Sequence, residues 1–74
     1  MKVYVDVETS LSPTGEISPK SIHWHDGRIW KIKKILHVCT SPDAELEGIR
    51  YTIRIGSAEK YIYKLGDRWY VNSE

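Results

Sequence analysis

Three histidines and a single cysteine are the side chains of this sequence best suited to chemistry. His23 and His25 stand two apart, and His37 and Cys39 repeat that spacing. On a strand, residues two apart point the same way, so the four could in principle supply a zinc set of His/His/His/Cys type. Their separation argues against convergence: His37 lies nine residues beyond Arg28, roughly 30 Å along an extended strand. No zinc-finger or zinc-ribbon spacing is present. A Cys39 nucleophile with His37 as base would need a lowered thiol pKa, an oxyanion donor and a cleft. Only the proximity is there, and a lone cysteine at a strand end reads as a small buried hydrophobe. Gly27 and Gly66 sit in turns and open no helix, so there is no phosphate-cradling loop. The carboxylate pairs Asp6 and Glu8, and Glu45 and Glu47, have no apolar surroundings in sequence to raise a pKa for acid catalysis. The expectation is no enzyme, no catalytic residue, no metal and no cofactor.

The elements that position these residues are strands. VYVDVE puts Val3, Val5 and Val7 on one face and Tyr4, Asp6 and Glu8 on the other, the pattern of a strand with one buried side. Residues 10–19 carry two prolines, a glycine and three serines and predict a long loop around a Pro13-Thr14-Gly15 turn, with a second strand starting near Lys20. IRYTIRI alternates with Ile49, Tyr51, Ile53 and Ile55 inward. GSAE then turns the chain into KYIYK, and a turn at Gly66 and Asp67 leads into RWYVN. Between them, Ser41 as N-cap, Pro42 at the first helical position, the acids after it and Gly48 as a stop allow one short helical turn over 42–47.

Register decides what the stretch HWHDGRIWKIKK presents, because a slip of one residue sends every side chain to the other face. A two-residue Asp26-Gly27 loop would pair Ile22 with Lys31 and set a lysine in the core. A three-residue loop of His25, Asp26 and Gly27, with the glycine left-handed in a bulge, pairs Trp24 with Arg28 and Ile22 with Trp30. The second version gathers Ile22, Trp24, Trp30 and Ile32 on one apolar face and is the one predicted. By the same reasoning a Leu65-Gly66-Asp67 loop in the last hairpin pairs Tyr63 with Trp69 and Tyr61 with Val71. It leaves Ile62, Lys64, Arg68 and Tyr70 outside. The strand from Arg28 to about Cys39 is long enough to serve two halves of a closed sheet, and its pattern slips near Lys33 and Lys34, where a bulge or bend is expected.

These elements belong to one small β domain spanning residues 1–74, with no repeat and no low-complexity segment. The fold class is all-β: a small antiparallel SH3-like barrel, or a strongly twisted meander, of 5–6 strands. A chain this short buries only roughly 60% of its unfolded surface, which makes Trp24, Trp30 and Trp69 the expected anchors of the core. One cysteine excludes an internal disulfide, and the alternating start MKVYVDVE offers no apolar signal region and no membrane-length run. A reducing, cytoplasmic location without membrane contact is expected.

The residues Ile22-x-Trp24-x-Asp26-Gly27-Arg28-x-Trp30-x-Ile32-x-x-Ile35-Leu36, with Arg50-Tyr51-Thr52-Ile53-Arg54-Ile55 and Arg68-Trp69-Tyr70-Val71, resemble a group of small uncharacterised bacterial proteins with no assigned activity. The resemblance covers most of residues 3–72, and W-x-D-G-R followed by an aromatic is its most specific part. The group does not carry histidine at the positions of His23 and His25, and a longer glycine-rich loop replaces residues 40–48. The resemblance therefore implies that neither the histidines nor the acidic run is a shared functional feature.

Charge offers the clearest functional pointer. The formal net charge is only +1, but Arg28, Lys31, Lys33 and Lys34 come with no acid among them, while Asp43, Glu45 and Glu47 form a run of their own. Outward-facing Lys31, Lys33, Arg50, Arg54, Lys60 and Lys64, with Tyr70, are predicted to form one basic surface. Such a surface suits nucleic acid: the cations release counterions from phosphates, while Tyr70, with Tyr4 as a further candidate, would stack on unpaired bases. The bland alternative is a wet sheet face that keeps the domain soluble. A competing class is a protein-interaction module or weak homodimer, acting through edge strands and the bipolar surface.

Overall fold

Val3, Val5 and Val7 keep the phase that their alternation dictates, with Val5 buried and the other two packed against the core beside it. They lie on β1 (Lys2–Leu11), the first of seven strands in a computed structural model that describes residues 1–73. The others are β2 (Ile17–His23), β3 (Ile29–Lys31), β4 (Lys34–Thr40), β5 (Ile49–Ile55), β6 (Ala58–Leu65) and β7 (Arg68–Asn72). All pairings are antiparallel, in the order β3-β2-β1-β7-β6-β5-β4.

The sheet curls because β1 serves two partners in succession: Lys2 to Val5 pair with β7, and Asp6 to Leu11 pair with β2. At the other corner the backbone N–H of Ile32 donates to the Lys20 carbonyl (2.9 Å), and that of Lys33 donates to the Arg54 carbonyl (2.8 Å). Adjacent residues thus bond to β2 on one side and β5 on the other, and the two ends of the strand order meet there. The result is a curled half-barrel. The expected bend falls beside the lysine pair, but there the chain changes partner from β2 to β5, so one predicted strand becomes β3 and β4 and the count rises to seven.

Inside the curl, Val5, Ile22, Tyr51, Ile53, Ile62 and Trp69 form the core. Trp24 and Trp30 pack against it and, with ring centroids 4.8 Å apart, edge to face against each other. The first hairpin has the predicted register, with Ile22 opposite Trp30 and His23 opposite Ile29. The Trp24 N–H donates to the Arg28 carbonyl, closing the three-residue loop over Gly27 at φ +92°. Asp26 fastens this loop: its carboxylate accepts from the Arg28 backbone N–H and, at 2.7 Å, from the guanidinium. Those bonds, the backbone one foremost, hold its pKa below the ordinary value.

Four expectations are corrected. The last hairpin uses the shorter turn, with Leu65 opposite Arg68, Lys64 opposite Trp69 and Tyr63 opposite Tyr70. Gly66 has φ +63° while Asp67 keeps a negative φ, the pattern of a type II′ turn, whose twist suits a two-residue hairpin. Choosing a register by apolar segregation failed because both faces of this hairpin are covered: Ile62 and Trp69 are buried on one side, Tyr63 and Tyr70 on the other. No helical turn forms over 42–47, for a lone turn does not offset its nucleation cost. Instead Ser41 N–H donates to the Gly48 carbonyl (2.9 Å) and Leu46 N–H to that of Asp43 (3.0 Å), which makes a closed strap. The loop predicted over 10–19 is shorter, because Leu11 pairs with Ile17 and Ser10 with Ser18. Pro19 fits inside β2 because the β1–β2 register shifts beside it, and a bulge spares the missing N–H. Finally, Ile49 keeps its inward phase but stays 40% exposed at the end of β5.

Candidate functional site

Residues directly opposite across antiparallel strands share a face. Cys39, Arg50, Tyr63, Tyr70 and Tyr4 therefore form one row on the convex side of the sheet, and His37, Thr52 and Tyr61 form the next. Tyr63 and Tyr70 stack with centroids 5.1 Å apart, and Tyr4 follows at 5.5 Å from Tyr70. Cations lie against the rings of these rows: Arg68 lies 3.9 Å from the Tyr4 ring centroid, Lys2 5.2 Å from that of Tyr70 and Arg50 4.4 Å from that of Tyr61.

The strap of residues 41–48 lies over the middle of the row. The Tyr70 hydroxyl donates to the Glu47 carbonyl, and Tyr70 is fully buried. Burial pushes the Tyr63 and Tyr70 phenols above their ordinary pKa, Tyr70 under further pressure from Tyr63. Tyr70 thus has no face to offer a base, which corrects its predicted role. Tyr61, 51% exposed with the Arg50 guanidinium over its ring, is the aromatic this surface does present.

The predicted cations divide between two faces. Arg50 and Arg54 lie on the convex side of β5. Lys60 stands opposite Ile53, and Lys64 opposite Ile49 and Trp69, on the inward side. Lys64 escapes the core by carrying its charge to the rim, where its Nζ donates to the Gly66 carbonyl. Lys31, Lys33 and Arg54 are brought together at the β3–β4 crossing, and Lys20 and Lys34 join them there. The hydrogen bonds of Ile32 and Lys33 put the Lys20 and Arg54 backbones beside the crossing, and Lys34 stands opposite Arg54. All five side chains are exposed. Among the described residues the only salt bridge is Arg28 to Asp26, and Glu59, opposite Arg54, makes none. Lys34 adjoins Lys33 in sequence and was legible from that. Lys20 gave no signal, because its place depends on a hydrogen bond to Ile32, twelve residues on. Tyr61 was lost with the hairpin register.

The histidines are occupied locally. His25 Nε2 donates to the Tyr4 carbonyl at 2.8 Å, and His23 Nε2 bonds the Ser21 hydroxyl at 3.2 Å. His37 and Cys39 stand on β4 opposite Thr52 and Arg50. Among the described residues no three His, Cys, Asp or Glu side chains converge as a metal site would require.

Fold and surface together define a small all-β domain whose curled antiparallel sheet carries a cluster of cations where its ends meet. Comparison with protein-family models, with curated proteins and with solved structures finds no match.

Proposed function

We propose that this chain is a non-enzymatic binding module that takes a polyanion, nucleic acid foremost, at the β3–β4 crossing. The observation that carries the reading is the set of exposed cations there, Lys20, Lys31, Lys33, Lys34 and Arg54, with no acid at salt-bridge distance among the described residues. Held together by backbone hydrogen bonds, they concentrate positive potential in a molecule of almost no net charge. Phosphates seated on them release counterions. Along the convex face, Tyr61 under Arg50 supplies a stacking platform, which favours unpaired bases. Two corners made by a shared β1 and by the β3–β4 crossing support an SH3-like wrapping of the chain. A free cysteine, Cys39, suits a reducing cytoplasm, and no helix among the described residues is long and apolar enough to cross a membrane.

Chemical-shift titration with a single-stranded and a duplex oligonucleotide at low salt tests this. Lys31, Lys33, Arg54 and Tyr61 should respond, more strongly to the single strand. If about four cations engage, log K should fall against log salt with a slope of roughly −3. Lys33→Glu with Lys34→Glu should weaken binding at least tenfold. Silence of these residues at low salt overturns the proposal.

One observation favours a protein partner instead. β4 ends the strand order, so its outer edge is unpaired, and Val38 on it is 49% exposed. Such an edge accepts an added strand. Saturable binding that survives salt, or a mass that rises with concentration, would favour that reading.

A further inference from the structure

Between the inner face of the long sheet and the β2–β3 hairpin runs an open groove of about 440 Å³, within the size range of small-ligand sites. Its walls include Val3, Trp24, Trp30, Ile55 and Val71, and its only charged side chain among the described residues is Lys60. The binding surface proposed above does not use Lys60, which faces the other side of the sheet from Arg50 and Arg54.

We infer that this groove is a second site, for a small amphipathic anion with an apolar body and one carboxylate. Apolar walls select the body. A lone cation with no salt-bridge partner among the described residues selects the single negative charge, and placing that charge at the groove makes the pairing stronger than on open surface. A doubly charged ligand would leave one charge against tryptophan and isoleucine, which desolvation disfavours. Trp24 adds a second reason for the groove to take an acceptor. Its indole Nε1 is shielded from water and has no hydrogen-bond partner, a state that native proteins seldom leave uncompensated. A turn of the ring toward a carboxylate in the groove would supply the missing acceptor.

Octanoate, kept below its micelle-forming concentration, is the probe, with 1-octanol as its uncharged counterpart. Octanoate should shift the Trp24 and Trp30 indole N–H resonances saturably and bind at least fivefold more tightly than octanol. Lys60→Gln, a change at an exposed position, should remove that preference while leaving octanol binding unchanged. Equal binding of the two probes, an octanoate affinity indifferent to Lys60→Gln, or shifts that gather at Lys33 and Arg54 rather than at the indoles would each overturn the inference. Because the oligonucleotide titration reads the β3–β4 crossing and this one reads the indoles, either site can fail without the other.

Discussion

A Cβ built on Gly48 would stand 2.3 Å from the Lys64 carbonyl oxygen, and its φ of +112° lies where side-chain-bearing residues are strained. Backbone, not a flexible side chain, is what it would meet. Gly48→Ala should therefore cost roughly 2–4 kcal/mol, crowding and backbone strain together, measured by denaturant unfolding. Gly66, with φ +63° but nothing within 4 Å of an added Cβ, provides the comparison: Gly66→Ala should cost about 1 kcal/mol, from conformation alone. Equal costs would mean that the close approach at Gly48 relaxes freely. At this same scale the phenols of Tyr51, Tyr63 and Tyr70 govern the alkaline limit. Burial raises each above the ordinary value of 10.0, so above that pH the unfolded chain loses phenolic protons that the native state retains. Stability is then full below about pH 10 and falls as pH rises, by up to about 1.4 kcal/mol per pH unit for each phenol. Phenolate absorbance from these three tyrosines should accordingly appear together with unfolding rather than before it.

Among the elements, the 41–48 strap has a single side-chain hydrogen bond to the sheet among the described residues, from the Tyr70 hydroxyl to the Glu47 carbonyl. Tyr70→Phe keeps the stacked ring but leaves that carbonyl without its donor. The expected loss is about 1 kcal/mol, and amide exchange should show it as faster opening of Ser41 and Leu46, whose N–H groups are bonded within the strap. Uniform acceleration across β5 and β6 would show instead that the strap and the sheet open together. The strap also accounts for the acidic run that stands out in the sequence. Asp43 caps its own turn by accepting the Glu45 N–H at 2.9 Å, and Glu47 contributes its backbone carbonyl. In a hairpin so covered, polarity could not choose the register, and the β6–β7 turn chemistry chose it. Gly66 followed by Asp67 was the readable clue.

The whole molecule has one core within the curl and a smaller tyrosine cluster on the convex side. A domain of this length has a total stability of about 4–11 kcal/mol. Trp69, buried and packed 5.2 Å from the Tyr51 ring, sits where β7 joins β1 and β6. Trp69→Ala should remove about 3–5 kcal/mol, enough to leave a substantial unfolded population at room temperature, visible by circular dichroism. Retention of a sharp, native-like thermal transition would show that the core is less dependent on this anchor than its burial implies. Three of the predicted site residues, Lys31, Lys33 and Arg54, meet at the crossing, while the β6 register turns Lys60 and Lys64 inward and the strap buries Tyr70.

What the sequence determined by itself is whatever a few neighbouring residues encode. The phase of Val3, Val5 and Val7, the three-residue loop at Gly27 and the bend near the lysine pair each follow from strand period or turn chemistry within a dozen positions. Only the tertiary structure decided which faces are covered and which cations meet. Tyr70 is buried by a carbonyl 23 residues away, and the basic corner exists because Ile32 and Lys33 bond to Lys20 and Arg54. Contacts between segments so far apart leave no local periodicity to read, so HWHDGRIWKIKK revealed its own hairpin but not the company its lysines keep.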